Sequence, residues 1–272
     1  MLALISPAKS LNFERALPKN VAATLPREQS SAFDLAKIMR RYQPAGIAGL
    51  MDISPALAQL NADRYAAFDA APDTALAKPA ALAFDGDVYD GLDAQSFTAA
   101  QWKTAQAQLR SLSGLYGVLR PLDLIQAHRL EMGTSLPTPA GKSLYAFWGE
   151  RITQQLNADL DETGAKYLLN LASDEYFKSV KPKLLTKPLV ACSFEDEKNG
   201  QFKTISFFAK RARGLMARFV VEQKIKKPQD LLAFTAQGYA FVNQSQDAKT
   251  GALHLHFQRS EQAREHAATA AA

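Results

Sequence analysis

The chain has 272 residues and a net charge of +5, with 47% hydrophobic and 22% charged residues. This composition is typical of a globular protein with a sizeable core and argues against disorder. No apolar run approaches the roughly 18 residues that a membrane-spanning helix needs. The apolar residues 1–5 are followed at once by Ser6 and Pro7, without a basic leader. We therefore expect a cytoplasmic protein with no membrane partner.

Cys192 is the only cysteine. An intramolecular disulfide is therefore impossible, and no CxxC or Cys/His cluster offers itself to zinc or an iron-sulfur centre. We expect a reducing compartment, no metal site and no cofactor.

The positive charge is concentrated in one part of the chain. Residues 178–227 contain 13 Lys and Arg and four acidic residues, which gives this segment +9 and leaves the remainder at −4. Such concentration indicates a face that binds a polyanion. The alternative is a solvated surface balanced by acidic residues elsewhere in the fold.

Hydrophobic periodicity, caps and breakers predict a mixed order of strands and helices. Ser54 and Pro55 mark one helix start, and Thr98 with Gln101 has the form of a capping box. The predicted strands cover residues 2–5, 80–84, 167–171, 189–194, 202–207, 239–242 and 253–257. The predicted helices cover about 30–42, 55–68, 99–112, 143–160, 174–181 and 208–224. We expect one mixed α/β (α+β) domain.

The helix over residues 208–220 is amphipathic and basic. At about 100° per residue, its apolar side chains fall on one side and its cations on the other. Gly214 lies in the middle of the cationic arc, where alanine would favour the helix by about 1 kcal/mol. Close approach of a phosphate backbone is one explanation. A surface helix whose charges only keep it soluble is the alternative.

Two glycines, Gly114 and Gly117, lie close together after the helix that ends near residue 112. With another helix after Pro121, this segment is similar to a helix-hairpin-helix module, whose glycine turn offers backbone N–H groups to a DNA phosphate. Tyr116 adds one residue to the usual spacing between the glycines. A tight turn between packed elements is the alternative.

Six segments together resemble one known family. They are residues 4–9 (LISPAK), 84–91 (FDGDVYDG), 112–123 (LSGLYGVLRPLD), 129–133 (RLEMG), 170–180 (NLASDEYFKSV) and 207–216 (FFAKRARGLM). In this order and spacing they resemble the YaaA family of peroxide-stress proteins, formerly an uncharacterised protein family. The resemblance extends from residue 1 to about residue 258.

The resemblance implies a single compact domain of unusual topology, which we place at residues 1–265. The Ala-rich composition of residues 266–272 predicts a frayed tail. The resemblance also implies a basic cleft, a helix-hairpin-helix element and binding of duplex or branched DNA without strong sequence preference. The family role would be to limit iron-dependent oxidative damage in the response to hydrogen peroxide, which includes DNA repair.

Our first hypothesis is therefore DNA binding. Cations on one face neutralise phosphates without reading sequence, and the affinity falls as salt rises. The candidate cations are Arg110, Arg120, Lys178, Lys181, Lys183, Lys210, Arg211, Arg213 and Arg218. The candidate backbone contacts are Ser113, Gly114, Leu115, Tyr116, Gly117 and Gly214.

The second hypothesis is an enzyme that acts on a nucleotide or another phosphorylated small molecule. Polar residues gather at the ends of predicted strands, where α/β proteins form their sites. The candidate catalytic residues are Ser6, Lys9, Asp87, Glu131, Asp174 and Glu175, with Asp85 and Lys178 nearby. No P-loop, GxGxxG, GxSxG or HExxH motif is present, so the sequence leaves catalysis open. A sealed pocket that joins these segments would favour an enzyme, and their dispersal over the surface would exclude one.

A third hypothesis is direct iron binding by His254 and His256, which share one face of a predicted strand. Two histidines at this spacing are more often ordinary surface or core residues than metal ligands.

Overall fold

The computed structural model describes residues 1–18, 22–71, 76–248 and 250–270, in which strands and helices alternate. The strands are β1 (Leu2–Ile5), β2 (Ser10–Leu11), β3 (Ala77–Pro79), β4 (Phe84–Asp85), β5 (Leu109–Ser113), β6 (Gly117–Leu119), β7 (Leu124–Gln126), β8 (Leu168–Leu171), β9 (Leu189–Lys198), β10 (Gln201–Lys203), β11 (Ala240–Gln246) and β12 (Leu253–Arg259). The helices are α1 (Gln29–Met39), α2 (Pro44–Met51), α3 (Pro55–Ala67), α4 (Ala80–Ala83), α5 (Asp87–Leu92), α6 (Ala99–Gln108), α7 (Leu144–Trp148), α8 (Arg151–Glu162), α9 (Asp174–Phe177), α10 (Ser206–Glu222) and α11 (Glu261–Ala270).

The main sheet is built around β1. β5 pairs with β1 on one side and β8 on the other, both in parallel. β9 and β12 continue the parallel arrangement beyond β8, whereas β6, β10 and β11 join antiparallel. The order is β11-β12-β9-β8-β1-β5-β6, with β10 beside β9. Because later strands are added on both sides of β1, the order of strands changes direction there.

Helices cover both faces of this sheet. On β5, Arg110 bonds to Asp159 of α8, and the next residue, Ser111, bonds to Tyr89 of α5. Neighbouring residues of a strand point to opposite faces, so α8 and α5 lie on opposite sides. α10 crosses α5 and contacts β1, β8 and β9. All four residues of β1 are buried, as expected for a strand covered on both faces.

A buried ion cluster ties β5 to α8. The carboxylate of Asp159 accepts hydrogen bonds from Arg110 at 2.8 and 3.0 Å and from Arg27 at 2.6 and 2.8 Å. Burial by itself raises the pKa of Asp159, but the hydrogen bonds and charges of Arg27 and Arg110 outweigh it, and the pKa lies below its ordinary value. The carboxylate is therefore ionised and paired, which a buried charge requires.

The mixed α/β prediction is confirmed. The helix starts predicted at Ser54 and Thr98 are also confirmed. Ser54 accepts a hydrogen bond from the amide of Leu57 at 3.4 Å and caps α3. Thr98 and Gln101 form the capping box that opens α6. The strand over 2–5 also forms as predicted.

Other elements differ from the prediction. Residues 80–83 form the short helix α4 instead of a strand, with the amides of Ala80 and Ala81 bonded to the carbonyls of Asp123 and Pro121. The helix predicted over 143–160 is broken between α7 and α8 at Gly149, whose φ of 53° lies in the left-handed region. α2, which starts with Pro44, was not predicted.

Several predicted boundaries also shift. α6 ends four residues before Leu112 because residues from Leu109 onward pair with β1. β10 ends at Lys203, and α10 already begins at Ser206. The tail expected to fray from residue 266 continues α11 as far as Ala270, and its last two residues lie outside the described part.

Candidate functional site

A cleft of about 570 Å³ opens at the carboxyl ends of β1 and β8. Ligand crevices in α/β sheets form at such ends, at the point where the strand order changes direction. The cleft is lined by segments 6–10, 85–88 and 173–176 and by Lys210 and Arg213 of α10. The structure thus brings together five of the six predicted catalytic candidates, and the sixth, Glu131, lies directly beside them.

Ser6 and Ser173 join the two strand ends. The amide of Ser173 donates to Ser6 Oγ at 2.9 Å, and the two hydroxyl oxygens are 3.3 Å apart. Ser173 stands at the N-cap position of α9, but its side chain makes no capping bond. Since the hydroxyl of Ser6 is paired with a serine and not with a base, it lacks the partner that activates a serine nucleophile.

Glu131 closes one side of the cleft through ion pairs. Its carboxylate lies 2.8 Å from Lys9 Nζ and 2.8 Å from a guanidinium nitrogen of Arg129. Burial raises the pKa of Glu131, but the two cations outweigh it and hold the pKa below its ordinary value. Glu131 is therefore a carboxylate at neutral pH that positions Lys9, and it is poorly suited to donate a proton.

Asp87 and Asp174 offer carboxylates to the cleft. Asp87 begins α5 and Asp174 begins α9. Within the described ranges, neither side chain accepts a hydrogen bond from another residue, whereas Asp85 lies 3.3 Å from a guanidinium nitrogen of Arg15. Carboxylates that point into a cleft without a fixed partner are suited to proton transfer to a bound ligand.

α10 supplies two cations to the cleft. Lys210 and Arg213 are three residues apart and therefore neighbours on the helix surface. Lys210 is exposed and Arg213 is half-buried. Burial lowers the pKa of Arg213, and the nearby Asp174 carboxylate opposes that shift. An arginine remains charged at neutral pH, so the pair presents two positive charges to an anion.

The charge of the cleft is mixed. Its lining has three cations and four carboxylates: Lys9, Lys210 and Arg213 against Asp85, Asp87, Asp174 and Glu175. The basic cleft that the resemblance implies is therefore not present at this edge of the sheet.

Glu175 has a structural role as well as a place in the cleft. Its Oε1 accepts a hydrogen bond from the amide of Gly133 at 2.9 Å, and its carbonyl accepts one from the hydroxyl of Tyr145 at 2.8 Å. Lys178 Nζ lies 5.0 Å from the centre of the Tyr145 ring. These contacts hold α9 against the loop that carries Glu131.

A second, small cavity of about 10 Å³ borders the cleft and shares Lys9 and Tyr176 with it. His128 and Ser113 line this cavity. His128 Nδ1 lies 2.8 Å from the carbonyl of Gln126, which can only accept, so Nδ1 carries the proton and Nε2 is an acceptor. Burial lowers the pKa of His128 to about 4. The sequence did not identify this neutral histidine, because no pattern links it to the cleft segments.

The predicted helix-hairpin-helix is not formed, and a β-hairpin takes its place. Residues 109–119 form β5, a turn and β6, and the strand β7 follows where another helix was predicted. Ser113 Oγ accepts from the amides of Leu115 and Tyr116, both fully buried. Trp148 donates to the carbonyl of Gly114. These backbone groups are satisfied inside the protein and do not reach a phosphate.

Two cations that flank this hairpin are paired internally. Arg110 is buried against Asp159. Arg120 lies 2.9 Å from Asp123 and donates to the carbonyl of Leu25. Both cations support the fold.

The glycine of the basic helix faces inward. A Cβ at Gly214 would overlap the carbonyl of Val88 on α5, so close helix packing explains this glycine, and a phosphate does not. Arg218 is also paired inside the protein, because its guanidinium lies 3.2 Å from the carboxylate of Asp93 and 2.8 Å from that of Glu222. The prediction of one continuous cationic arc was wrong, because α10 packs on α5 as well as on the sheet.

The remaining predicted cations stay near the surface. Lys178, Lys183, Lys210 and Arg211 are exposed, and Lys181 and Arg213 are half-buried. Arg211 contacts the side-chain amide of Gln237. The exposed members of this set are considered below as candidate DNA contacts.

The single thiol and the histidine pair show no reactive or metal-binding arrangement. Cys192 is buried, and burial raises the pKa of its thiol, whereas peroxide reacts with exposed thiolates. The ring nitrogens of His256 bond to Ser193 and Ser245. Across the described part of the chain, no three His, Cys, Asp or Glu side chains cluster as metal ligands.

The fold and the cleft define a mixed α/β protein with a candidate ligand site at the carboxyl edge of its parallel strands. The chain belongs to the family of the peroxide stress protein YaaA, whose model matches residues 1–245. It is 52% identical to a UPF0246 protein of Idiomarina loihiensis, over 96% of this chain and 100% of that relative. It is 53% identical to a UPF0246 protein of Tolumonas auensis, over 89% and 92% of the two chains. Within the described residues, no helix has the length and apolar character needed to cross a lipid bilayer.

Proposed function

We propose that this peroxide-stress protein binds a phosphorylated small molecule of the nucleotide class in the cleft and acts on it as an enzyme. The observation that supports this proposal is the convergence of Ser6, Lys9, Asp87, Asp174 and Arg213, from distant parts of the chain, at the switch point of the sheet. Active sites of α/β enzymes occupy this position.

Different residues of the cleft would contact different parts of the ligand. Lys210 and Arg213, one turn apart on α10, would hold the phosphate, because cations bind phosphate oxygens through charge-assisted hydrogen bonds. Pro7, Ala8 and Val88 add apolar surface for an uncharged part such as a base. Asp87 and Asp174 lie ready to transfer protons, and Ser6 to orient the ligand.

Calorimetry with a nucleoside and its monophosphate tests the proposal. The monophosphate should bind more tightly to the wild type, and Lys210→Met and Arg213→Met should each weaken it by about tenfold or more, as expected for a hydrogen bond to a charged group. The control is Lys166→Met, which removes an exposed charge outside the cleft. Equal affinity for the two ligands, or affinity unchanged in both cleft variants, would refute the proposal.

DNA binding is the second candidate function. It is supported by four exposed cations, Lys178, Lys183, Lys210 and Arg211, of which Lys210 also lines the cleft. We propose that they contact phosphates of duplex or branched DNA without reading sequence. This binding would protect or help repair DNA exposed to iron-dependent oxidative damage.

Binding of fluorescent duplex and branched DNA across a salt series tests this second function. Affinity should fall steeply with salt and disappear in the double variant Lys210→Glu and Arg213→Glu. The matched control is Lys103→Glu with Lys166→Glu, which reverses two exposed charges elsewhere. If the cleft variant retains DNA as well as the control does, α10 is not the DNA surface.

A further inference from the structure

Two exposed phenylalanine rings lie five residues apart in the sequence. Phe202 on β10 is 42% exposed and Phe207 on α10 is 54% exposed, whereas every other Phe, Tyr and Trp side chain, each within the described ranges, is buried or half-buried. Fully burying a phenylalanine stabilises a fold by about 1.5–3 kcal/mol. A single exposed ring is unremarkable in a globular protein, but two within six residues call for an explanation.

Cations lie near both rings. Phe202 pairs with Glu197 of β9, and the exposed lysines of this hairpin are Lys203, which follows Phe202, and Lys198, which pairs with Gln201. On α10, Lys210 and Arg211 follow Phe207 by three and four residues and therefore share its side of the helix. Lys203, Lys198, Lys210 and Arg211 are all exposed.

The ring of Phe207 is held in place by packing against Phe208. Its ring centre lies 4.0 Å from that of Phe208, and Phe208 in turn packs against the guanidinium groups of Arg259 and Arg264. Phe207 is thus an exposed ring on a rigid support at the start of a long helix. One helical turn further along, Lys210 enters the cleft.

We propose that Phe202 and Phe207, with Lys210 and Arg211, form a stacking surface for the unpaired bases of single-stranded nucleic acid. Aromatic rings interleaved with cations bind single strands in this way, because every base has a face that stacks and every nucleotide carries a phosphate. A duplex hides its bases and offers these rings nothing. The inference rests on the proposed DNA binding and extends it from duplex or branched DNA to strands with unpaired bases.

Fluorescence anisotropy with two oligonucleotides of equal length separates stacking from charge. One is oligodeoxythymidine, and the other is an abasic strand with the same phosphates and no bases. Wild-type protein should bind the thymidine strand about tenfold more tightly or better, since stacking adds a contribution for each base. Phe202→Ala and Phe207→Ala should each reduce this preference without changing the affinity for the abasic strand.

The control is Leu57→Ala, which removes a 40% exposed apolar side chain on α3. This substitution should change neither affinity. Equal binding of both strands by the wild type would overturn the stacking surface and leave phosphate binding intact. Failure to bind either strand would also overturn the proposal, and it would leave binding of duplex or branched DNA to be decided by the salt series above. A change in sedimentation coefficient in the phenylalanine variants, without a change in binding, would assign the rings to contact between copies of the chain and overturn the proposal.

Discussion

Gly91 of α5 and Gly214 of α10 meet where the two helices cross, and neither has room for a side chain. A Cβ at Gly91 would lie 2.8 Å from the amide nitrogen of Leu215, and a Cβ at Gly214 would lie 2.9 Å from that of Leu92. Each would also overlap a carbonyl oxygen of the other helix. This contact brings the start of α5, with Asp87, to the wall of the cleft that carries Arg213.

Gly214→Ala should destabilise the protein although alanine favours helices. The gain in helix propensity is about 1 kcal/mol, whereas forcing the helices apart costs about 1–3 kcal/mol in a packed core. The prediction is a net loss in the free energy of unfolding, measured by urea denaturation. The control is Gly49→Ala on α2, where a Cβ would meet nothing within 4 Å, and this substitution should stabilise by about 0.5–1 kcal/mol. Equal stability of Gly214→Ala and Gly49→Ala would contradict the close contact between α5 and α10.

His128 should make stability depend on pH between about 4 and 6.5. In the unfolded chain the imidazole takes up a proton near pH 6.5, whereas burial keeps its pKa at about 4 in the folded protein. The unfolded state binds more protons in this range. The contribution of His128 to the free energy of unfolding is therefore fully present above pH 6.5 and is lost as the pH is lowered. The loss should reach about 3 kcal/mol at pH 4. His128→Gln should remove this part of the pH dependence, as followed by urea denaturation at several pH values.

Asp159 should make stability depend on pH in a lower range than His128 does. Its pKa is depressed by Arg27 and Arg110, so its contribution is present above about pH 4, the unfolded value, and is lost as the pH falls further. At neutral pH, Asp159→Asn should cost about 3–5 kcal/mol, because Arg110 is left buried without its partner. Asp161→Asn, in the exposed pair with Lys187, is the control and should cost less than about 1 kcal/mol. Similar losses in both variants would contradict the distinction.

Cys192 should resist both alkylation and peroxide in the folded protein. Burial blocks access and raises the pKa of the thiol, and only the thiolate reacts readily. Mass spectrometry after iodoacetamide or hydrogen peroxide should show an unmodified thiol, with modification after denaturation in urea as the positive control. Rapid labelling of the folded protein would place a reactive thiolate at this position.

The features that could be predicted from the sequence are those fixed within a few residues or by a general rule of α/β proteins. The caps at Ser54 and Thr98 form because donor and acceptor are three residues apart. Ser6 and Asp174 were assigned to a site because polar residues at the ends of parallel strands meet at one edge. The cleft confirms that they meet, and their chemical roles stay predictions.

The features that were missed depend on distant partners. Residues 109–113 extend as a strand because Leu109 pairs with Ala3, which turns the expected DNA-binding hairpin into part of the core. Gly214 appeared to lie on an open face because nothing in its helix shows that α5 covers it. His128 reaches the edge of the cleft through a loop whose path no local pattern gives.

The central place of β1 has a consequence for biosynthesis. β1 leaves the ribosome well before β8, yet Leu2 needs Leu168 as its neighbour in the sheet. At ordinary rates of translation this apolar strand waits about ten seconds or more for the second partner. During that interval its exposed backbone and side chains are open to wrong pairing and aggregation. A nascent chain of this protein is therefore an expected client of ribosome-associated chaperones, and truncation before β8 leaves a segment that cannot complete its sheet.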